Sequence, residues 1–221
     1  MKRLFDVVVA AVLLALALPG MLLVALAIRF DDGGPVFFFQ RRVGRGGAEF
    51  FIWKFRSMRI DADRLGPALT SAGDPRITRV GKLLRATKLD ELPQLVNVLR
   101  GEMSLVGPRP EVPKYVALYD ASQRPALDAR PGITDPASLR FFDESELLAQ
   151  AADPHAAYVE RIMPYKLRLN LAYLERATVG SDCVILLCTA LRILRIRWSG
   201  KPFVRLPNEP FDFERDARRA A

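Results

Sequence analysis

The stretch VVVAAVLLALALPGMLLVALAI, residues 7–28, carries no charged side chain. Its 22 residues exceed the ~20 that a helix needs to cross a bilayer. A secretory signal has an apolar region of about 7–15 residues followed by a cleavage site. This run is longer, and its Ala-Leu-Ala sequence lies inside it. A simple span meets two objections. Pro19-Gly20 interrupts the run near its middle, and proline kinks or breaks a helix by removing a backbone donor and crowding the preceding turn. True spanning helices also contain proline, so charge carries more weight. Lys and Arg flank spans on the cytoplasmic side. Here Lys2 and Arg3 precede the run while Arg29, Arg41, Arg42 and Arg45 follow it, so both ends read as cytoplasmic. A helix broken at Pro19 that enters and leaves by one face satisfies both observations, and a re-entrant hairpin over residues 1–31 is the expectation.

Working outward, Asp31-Asp32-Gly33-Gly34-Pro35 reads as a turn, Val36 to Phe39 as an extended segment, and Arg41 to Gly47 as a glycine-rich basic loop. Phe50 to Phe55 reads as a second strand, and residues 61–75 as a polar loop. Ile77, Val80, Leu83 and Leu84 recur at helical spacing over Arg76 to Lys88, and Leu92, Leu95, Val96 and Leu99 do so before a stop at Gly101. Helices are expected over Tyr115–Arg130 and over Ala156–Tyr173, the latter with a break at Pro164. The apolar stretch from Cys183 is too short to span and turns basic at Arg192. Over 183–198 it either lies flat at a membrane interface or closes the core, and the residues leave both open. Residues 199–221 read as an extended tail. The expected fold is mainly α with a few short strands: a membrane-associated, monotopic protein whose cytoplasmic helical catalytic domain spans 32–182.

Lys and Arg outnumber Asp and Glu by 33 to 25, a formal net charge of +8. Such a surplus suits nucleic acid, a phosphate-rich substrate or an anionic membrane surface. No nucleic-acid-binding motif accompanies it, and charge alone does not explain the apolar N-terminus, so a nucleic-acid partner is not expected. Cys183 and Cys188 stand five apart in an apolar stretch, off common zinc spacings, and read as buried reduced thiols. His155 is the single histidine; it has no second histidine for a metal pair and reads as a surface or cap residue.

Asp90-Glu91 concentrates the chemistry. Proline is tolerated only in a helix's first turn, so Pro93 implies a helix beginning at Asp90. Asp90 is then a favoured N-cap, with Glu91 complementing the helix dipole. The alternative is functional. Two carboxylates stand beside Arg76, Arg79, Lys82, Arg85 and Lys88, with Arg100 and Arg109 following. That grouping suits a phosphate substrate with Mg²⁺, the metal bridging carboxylate to phosphate and one carboxylate able to attack phosphorus. These residues alone do not fix the reaction.

An ordered set of segments resembles the bacterial sugar transferase family of monotopic phosphoglycosyltransferases: Gln40 to Gly44, Trp53 to Met58, Asp74 to Gly81, Leu89 to Gln94, Asn97 to Pro110 and Arg130 to Thr134. They span residues 40–134, and the interrupted N-terminal helix extends the likeness to the start. The resemblance implies that Asp90 attacks the sugar-linked phosphorus of a nucleotide sugar of the UDP type, and that a polyprenyl (undecaprenyl) phosphate then takes the phosphosugar. It implies that Glu91 helps hold Mg²⁺ or handles the acceptor's proton, and that Lys54, Arg56, Arg85 and Arg109 bind phosphate or nucleotide groups or structure the site. It implies a re-entrant helix broken at Pro19, a place on the cytoplasmic face of the bacterial inner membrane, and a role in glycoconjugate biosynthesis. Oligomeric state stays open, a homodimer included. Many members continue Pro-Gly-Ile-Thr with Gly-Trp-Ala-Gln, whereas this chain has Asp135-Pro136-Ala137-Ser138, which leaves the sugar open. Leu18-Pro19 stands where members often have Ser-Pro. The chain looks like a minimal catalytic unit. Two other readings share the membrane location: a glycosyltransferase that releases the nucleoside diphosphate, and a non-catalytic anchor in which Asp90 is only a helix cap.

Overall fold

The computed structural model describes residues 1–62 and 74–196. Its first element is one helix, α1, from Lys2 to Asp32, which contains Pro19. The expected separation into two helices at Pro19 is not seen as a gap in helical structure. Leucine and alanine on both sides are strong helix formers, and they carry the helix past the single missing donor. Gly33 ends it at φ 72°, in the left-handed region where glycine costs least, its N–H returning to the Arg29 carbonyl.

One stripe of α1 faces the rest of the protein. Asp6, Ala10, Met21 and Ile28 are buried, with Leu14 and Ala17 partly buried between them. Pro19 and Gly20 are exposed, as are Leu16, Leu18, Leu22 and Leu23. The helix is long and apolar enough to cross a membrane. Both of its ends are nevertheless tied to the same body. Arg3 donates to the carbonyls of Val98 at 2.7 Å and Leu99 at 3.1 Å, and Asp6 accepts from the Ser104 hydroxyl at 2.8 Å. At the far end Asp32 pairs with Arg56, Nη1 to Oδ2 at 2.7 Å, and Asp31 accepts from the Val80 N–H at 3.2 Å.

Strands β1 (Phe37–Val43) and β2 (Glu49–Phe55) form the antiparallel hairpin expected from their aromatic runs, with Phe37 opposite Phe55 and Val43 opposite Glu49. Gly46 and Gly47 make the reversal at φ 67° and 81°. Two helices follow close to their expected places: α2 (Arg79–Ala86), capped by the Thr78 hydroxyl, and α3 (Gln94–Arg100), which Gly101 stops at φ 86°. The short strands β3 (Ser104–Val106) and β4 (Gly132–Thr134) run parallel. Gly107 and Gly132 let them meet, since a Cβ on Gly132 would lie 2.1 Å from the Gly107 nitrogen.

The long helix expected over Tyr115–Arg130 is not formed. α4 covers only Pro113–Val116, and a 3₁₀ turn covers Arg124–Asp128. Between them the Asp120 carboxylate accepts from the N–H groups of Ser122 at 2.7 Å and Gln123 at 3.0 Å, a local turn that competes with the helix. After α5 (Pro136–Arg140) and α6 (Glu144–Ala149), the chain is helical from Pro154 to Leu174. α7 (Pro154–Ala157) passes through a π turn at Tyr158–Ile162 into α8 (Met163–Leu174). The wider turn absorbs Pro164, so the expected break is a change of pitch. The last described helix, α9 (Val179–Ile193), begins before the expected 183 because Thr178 and Ser181 cap it reciprocally. It buries Asp182 and Ile185 against the core and leaves Leu187 and Leu194 exposed. Cys183 lies on that outward face and is exposed, and Cys188 is half-buried; the expectation of buried thiols is corrected. His155 is exposed, as expected. The expected loop at 61–75 falls largely, and the tail at 199–221 wholly, outside the described residues.

The mostly helical architecture with few short strands agrees with the sequence reading. One apolar cluster joins α1 to β2, α3, β3 and α9 through Ala10, Ile52, Val98, Leu105 and Ile185. A second joins the far half of α1 to α2 through Met21, Ile28, Phe55 and Leu84. A third fills the space among α4 to α8.

Candidate active site

Asp90 and Glu91 do not lie on a helix. α2 ends at Ala86; two residues on, Lys88 turns the chain left-handed at φ 56°, and Leu89–Glu91 form a single 3₁₀ turn before α3. Pro93 occupies the N-cap position of α3 and no side chain caps it. The capping role expected for Asp90 is therefore overturned. Lys88 reverses the chain ahead of the helix, and the Asp90 carboxylate is directed elsewhere. It is 7 % exposed, and its Oδ1 has no hydrogen-bond partner among the described residues. Burial, with Glu91 alongside, pushes its pKa up; Lys54, Arg85 and Lys88 oppose the shift.

Glu91 is the opposite case. Its Oε1 accepts from Lys54 Nζ at 2.9 Å, and Arg109 grips both oxygens, Nη1 to Oε2 at 3.0 Å with a second bond from Nη2 to Oε1. Burial alone would raise its pKa, but the cations of Arg109 and Lys54 override that and hold it well below the usual carboxylate range. In return Glu91 raises the pKa of Arg109, while burial lowers that of Lys54.

Distant segments hold these groups. Lys54 rides on β2, which Asn97 of α3 clamps by accepting from the Trp53 N–H at 3.0 Å and donating to the Phe51 carbonyl at 2.8 Å. Close contact between Gly81 and Ser57 sets α2 against the end of β2; a Cβ at Gly81 would fall 2.0 Å from the Ser57 carbonyl oxygen. Arg109 follows the β3–β4 contact, and its N–H donates to the buried Asp135 carboxylate at 2.9 Å.

All six expected site residues, Asp90, Glu91, Lys54, Arg56, Arg85 and Arg109, line one cavity of about 1950 Å³. Arg56 differs from the rest. Its guanidinium is bound to Asp32 and to the Pro35 carbonyl, and it fastens the end of α1. Arg85 has no ion-pair partner among the described residues. Pro19 is not in the cavity, although Leu13, Leu16 and Ala17 of α1 line its apolar side opposite Ile185 and Leu186 of α9. Lys88 of the expected basic cluster also lines it, as do Phe142, Glu144 and Lys166, to which the sequence assigned no role.

Among the described residues no three His, Cys, Asp or Glu side chains gather to hold a metal. Mg²⁺ does not need such a cage; one or two carboxylates with phosphate oxygens and water are enough. The unpartnered, buried Asp90 oxygen fits that role. Glu91, already neutralised by two cations, fits it less well.

A desolvated free carboxylate among four cations, in a cavity with one apolar wall, defines a site for phosphate compounds that carry an apolar part. Comparison with known proteins gives the family. Residues 1–196 match the bacterial sugar transferase family, and the chain belongs to it. It is 49 % identical over 150 residues to the UDP-glucose:undecaprenyl-phosphate glucose-1-phosphate transferase of Caulobacter vibrioides, covering 63 % of this chain and 53 % of that one. It is 45 % identical over 118 residues to a putative undecaprenyl-phosphate N-acetylgalactosaminyl 1-phosphate transferase of Bacillus subtilis, covering 53 % and 66 %. It is 38 % identical over 198 residues to the UDP-glucose:undecaprenyl-phosphate glucose-1-phosphate transferase of Xanthomonas campestris, covering 87 % and 38 %. The chain thus spans less than two thirds of the length of each of these relatives.

Proposed function

We propose that this protein transfers a sugar 1-phosphate from a UDP-sugar to undecaprenyl phosphate, releasing UMP. The observation that carries the reading is the contrast at the dyad: both Glu91 oxygens are bonded by Lys54 and Arg109, whereas Asp90 is buried with its Oδ1 unpartnered among the described residues. A desolvated carboxylate free of hydrogen bonds is a stronger nucleophile than a hydrated one. Its Oδ attacks the phosphorus bearing the sugar. The bond to the bridging oxygen breaks, UMP departs with that oxygen, and an aspartyl phosphosugar remains. An oxygen of undecaprenyl phosphate then attacks the same phosphorus and restores the carboxylate. Lys54, Arg85, Lys88 and Arg109 set four positive charges against two carboxylates around this point. The surplus suits a diphosphate and the trigonal-bipyramidal charge that forms at phosphorus. Asp90, with Glu91 nearby, would be the residue to hold Mg²⁺, which when bound would supply further neutralisation of phosphoryl charge.

The acceptor is a lipid, and the apolar wall from α1 and α9 suits it. The proposed placement is at the cytoplasmic face of the inner membrane, with α1 re-entrant about Pro19. In support, both ends of α1 are bonded to the same body, and Pro19 lies on the exposed face, away from the stripe that packs. A proline bends a helix away from its own side, so the convex side would face lipid.

The test is UMP release by purified protein given Mg²⁺, undecaprenyl phosphate and a panel of UDP-sugars. UMP from the wild type and none from Asp90→Asn supports the reading. UDP release would replace it with glycosyl transfer, and no nucleotide from any donor would favour an anchoring role.

A further inference from the structure

We infer that Glu144 and Lys166, with Phe142, form the subsite that reads the hydroxyl groups of the donor sugar. The inference rests on the phosphosugar-transfer reading and extends it to a part of the cavity that the dyad does not use.

Lys166 Nζ donates to Glu144 Oε2 at 2.8 Å, and the two side chains are 10 % and 25 % exposed. Both line the cavity that holds Asp90. Glu144 is among the acidic groups that raise the pKa of Arg109, the arginine that grips Glu91. Phe142 connects this region to the dyad from the other side: Lys88 Nζ, two residues before Asp90, lies 4.9 Å from the centre of its ring. Asp135, wholly buried, secures the segment by accepting from the Ser138 N–H at 2.6 Å and the Arg109 N–H at 2.9 Å.

The chemistry of the substrates selects the occupant. A phosphate is repelled by the Glu144 carboxylate. A polyprenyl chain gains nothing from an ion pair. A sugar hydroxyl suits the pair on both counts, because it donates to a carboxylate and accepts from an ammonium, and a sugar ring's apolar C–H face suits the partly exposed Phe142 ring. Position agrees. The sugar is bonded to the phosphorus that Asp90 attacks, so it must lie within one phosphate of the carboxylate, in the cavity that these residues share. Asp135 to Ser138, just ahead of this wall, is also where the chain departs from the continuation common in the family it resembles.

The experiment compares Glu144→Gln and Phe142→Leu with wild type, each as the full chain, on the UDP-sugar panel and on deoxy forms of the preferred donor. Glu144→Gln keeps shape and a hydrogen bond to Lys166 but removes its counter-charge, so thermal unfolding is measured alongside, and Phe142→Leu, which leaves the ion pair intact, separates lost recognition from lost stability. Both variants are expected to lower kcat/KM for the preferred donor at least about 10-fold, mainly through KM, and to narrow the preference among sugars. Inhibition by UMP, which lacks the sugar, should stay unchanged. For the deoxy donor missing the hydroxyl that is read, Glu144→Gln should cost nothing further. An unmoved donor ratio, or an equal loss on every donor including the deoxy forms, overturns the inference while leaving phosphosugar transfer standing. Wild type that releases no UMP from any donor overturns both.

Discussion

Asp90→Asn should make the protein more stable while abolishing its activity. The Asp90 side chain is nearly inaccessible, and its Oδ1 has no partner among the described residues. Leaving a buried polar group unsatisfied costs ~1–3 kcal/mol, and more when it is charged. Here Glu91 adds repulsion, and the nearby cations return only part of the loss. Asparagine keeps the shape and removes the charge, so a gain of about 2 kcal/mol is expected, equivalent to roughly 4–8 °C in Tm for a chain of this size. The pH dependence has a definite sign. Burial raises the folded-state pKa of Asp90 above 3.8. Stability present when the carboxyl is protonated is therefore lost as pH rises through that raised value. The variant's advantage should vanish below the unfolded pKa, near 3.8, and be complete above the folded one. Thermal unfolding in detergent micelles at several pH values reads the shift, and UMP release by the same samples reads activity, which should fall by more than about a thousandfold. If Asp90→Asn melts below wild type at neutral pH, the carboxylate serves the fold, and the case for a strained nucleophile fails.

Glu91→Gln should act the other way, leaving Lys54 and Arg109 buried without their counter-charge, at a cost of about 3–5 kcal/mol by chemical denaturation. Because Glu91 is held well below the usual range, its stabilisation is present at neutral pH and is lost as pH falls through the depressed value. Gly132→Ala places a Cβ 2.1 Å from the Gly107 nitrogen. It should cost at least about 1–3 kcal/mol and lower turnover by shifting Arg109, whereas unchanged stability would refute the close β3–β4 contact. Single cysteines at Lys2 and Asp31, in a background lacking Cys183 and Cys188, should both react with an impermeant thiol reagent from the cytoplasmic side only; reaction of one from each side would establish a simple span.

The parts of the fold fixed by local rules were legible. α1 follows from composition, the hairpin from two aromatic runs around a glycine loop, and the end of α3 from Gly101. The misreadings have two kinds of cause, local backbone geometry and contacts distant in sequence. Tyr115–Arg130 has acceptable helical composition, but Asp120 satisfies backbone donors locally. Pro164 looked like a break because a π turn is not visible in periodicity. Lys54 and Arg56 are two apart in one motif and looked alike as phosphate ligands. What separates them is Asp32, which draws Arg56 to the end of α1 from 24 residues away in sequence. The Glu144–Lys166 pair spans 22 residues and joins two segments, neither of which announces the other. In these last two cases the deciding contact is long-range.

Why adjacent carboxylates should differ so much follows from the turn that bears them. A 3₁₀ turn has ~3 residues per turn, so successive side chains diverge by about 120°, and Asp90 and Glu91 cannot share one set of partners. Glu91 points to where β2 delivers Lys54 and the β3 loop delivers Arg109, segments 37 and 18 residues away in sequence. It therefore becomes charge-neutralised only when the hairpin and the β3–β4 pair have docked. The same docking excludes water from Asp90 without giving it a partner. Had Asp90 begun a helix, as its residue type favours, the N–H groups of α3 would have satisfied it and lowered its pKa. The left-handed Lys88 prevents this by reversing the chain ahead of the helix, with Pro93 in the N-cap position. Stabilisation gathered at Glu91 thus maintains the destabilised carboxylate beside it, and for that reason the two dyad substitutions are expected to move stability in opposite directions.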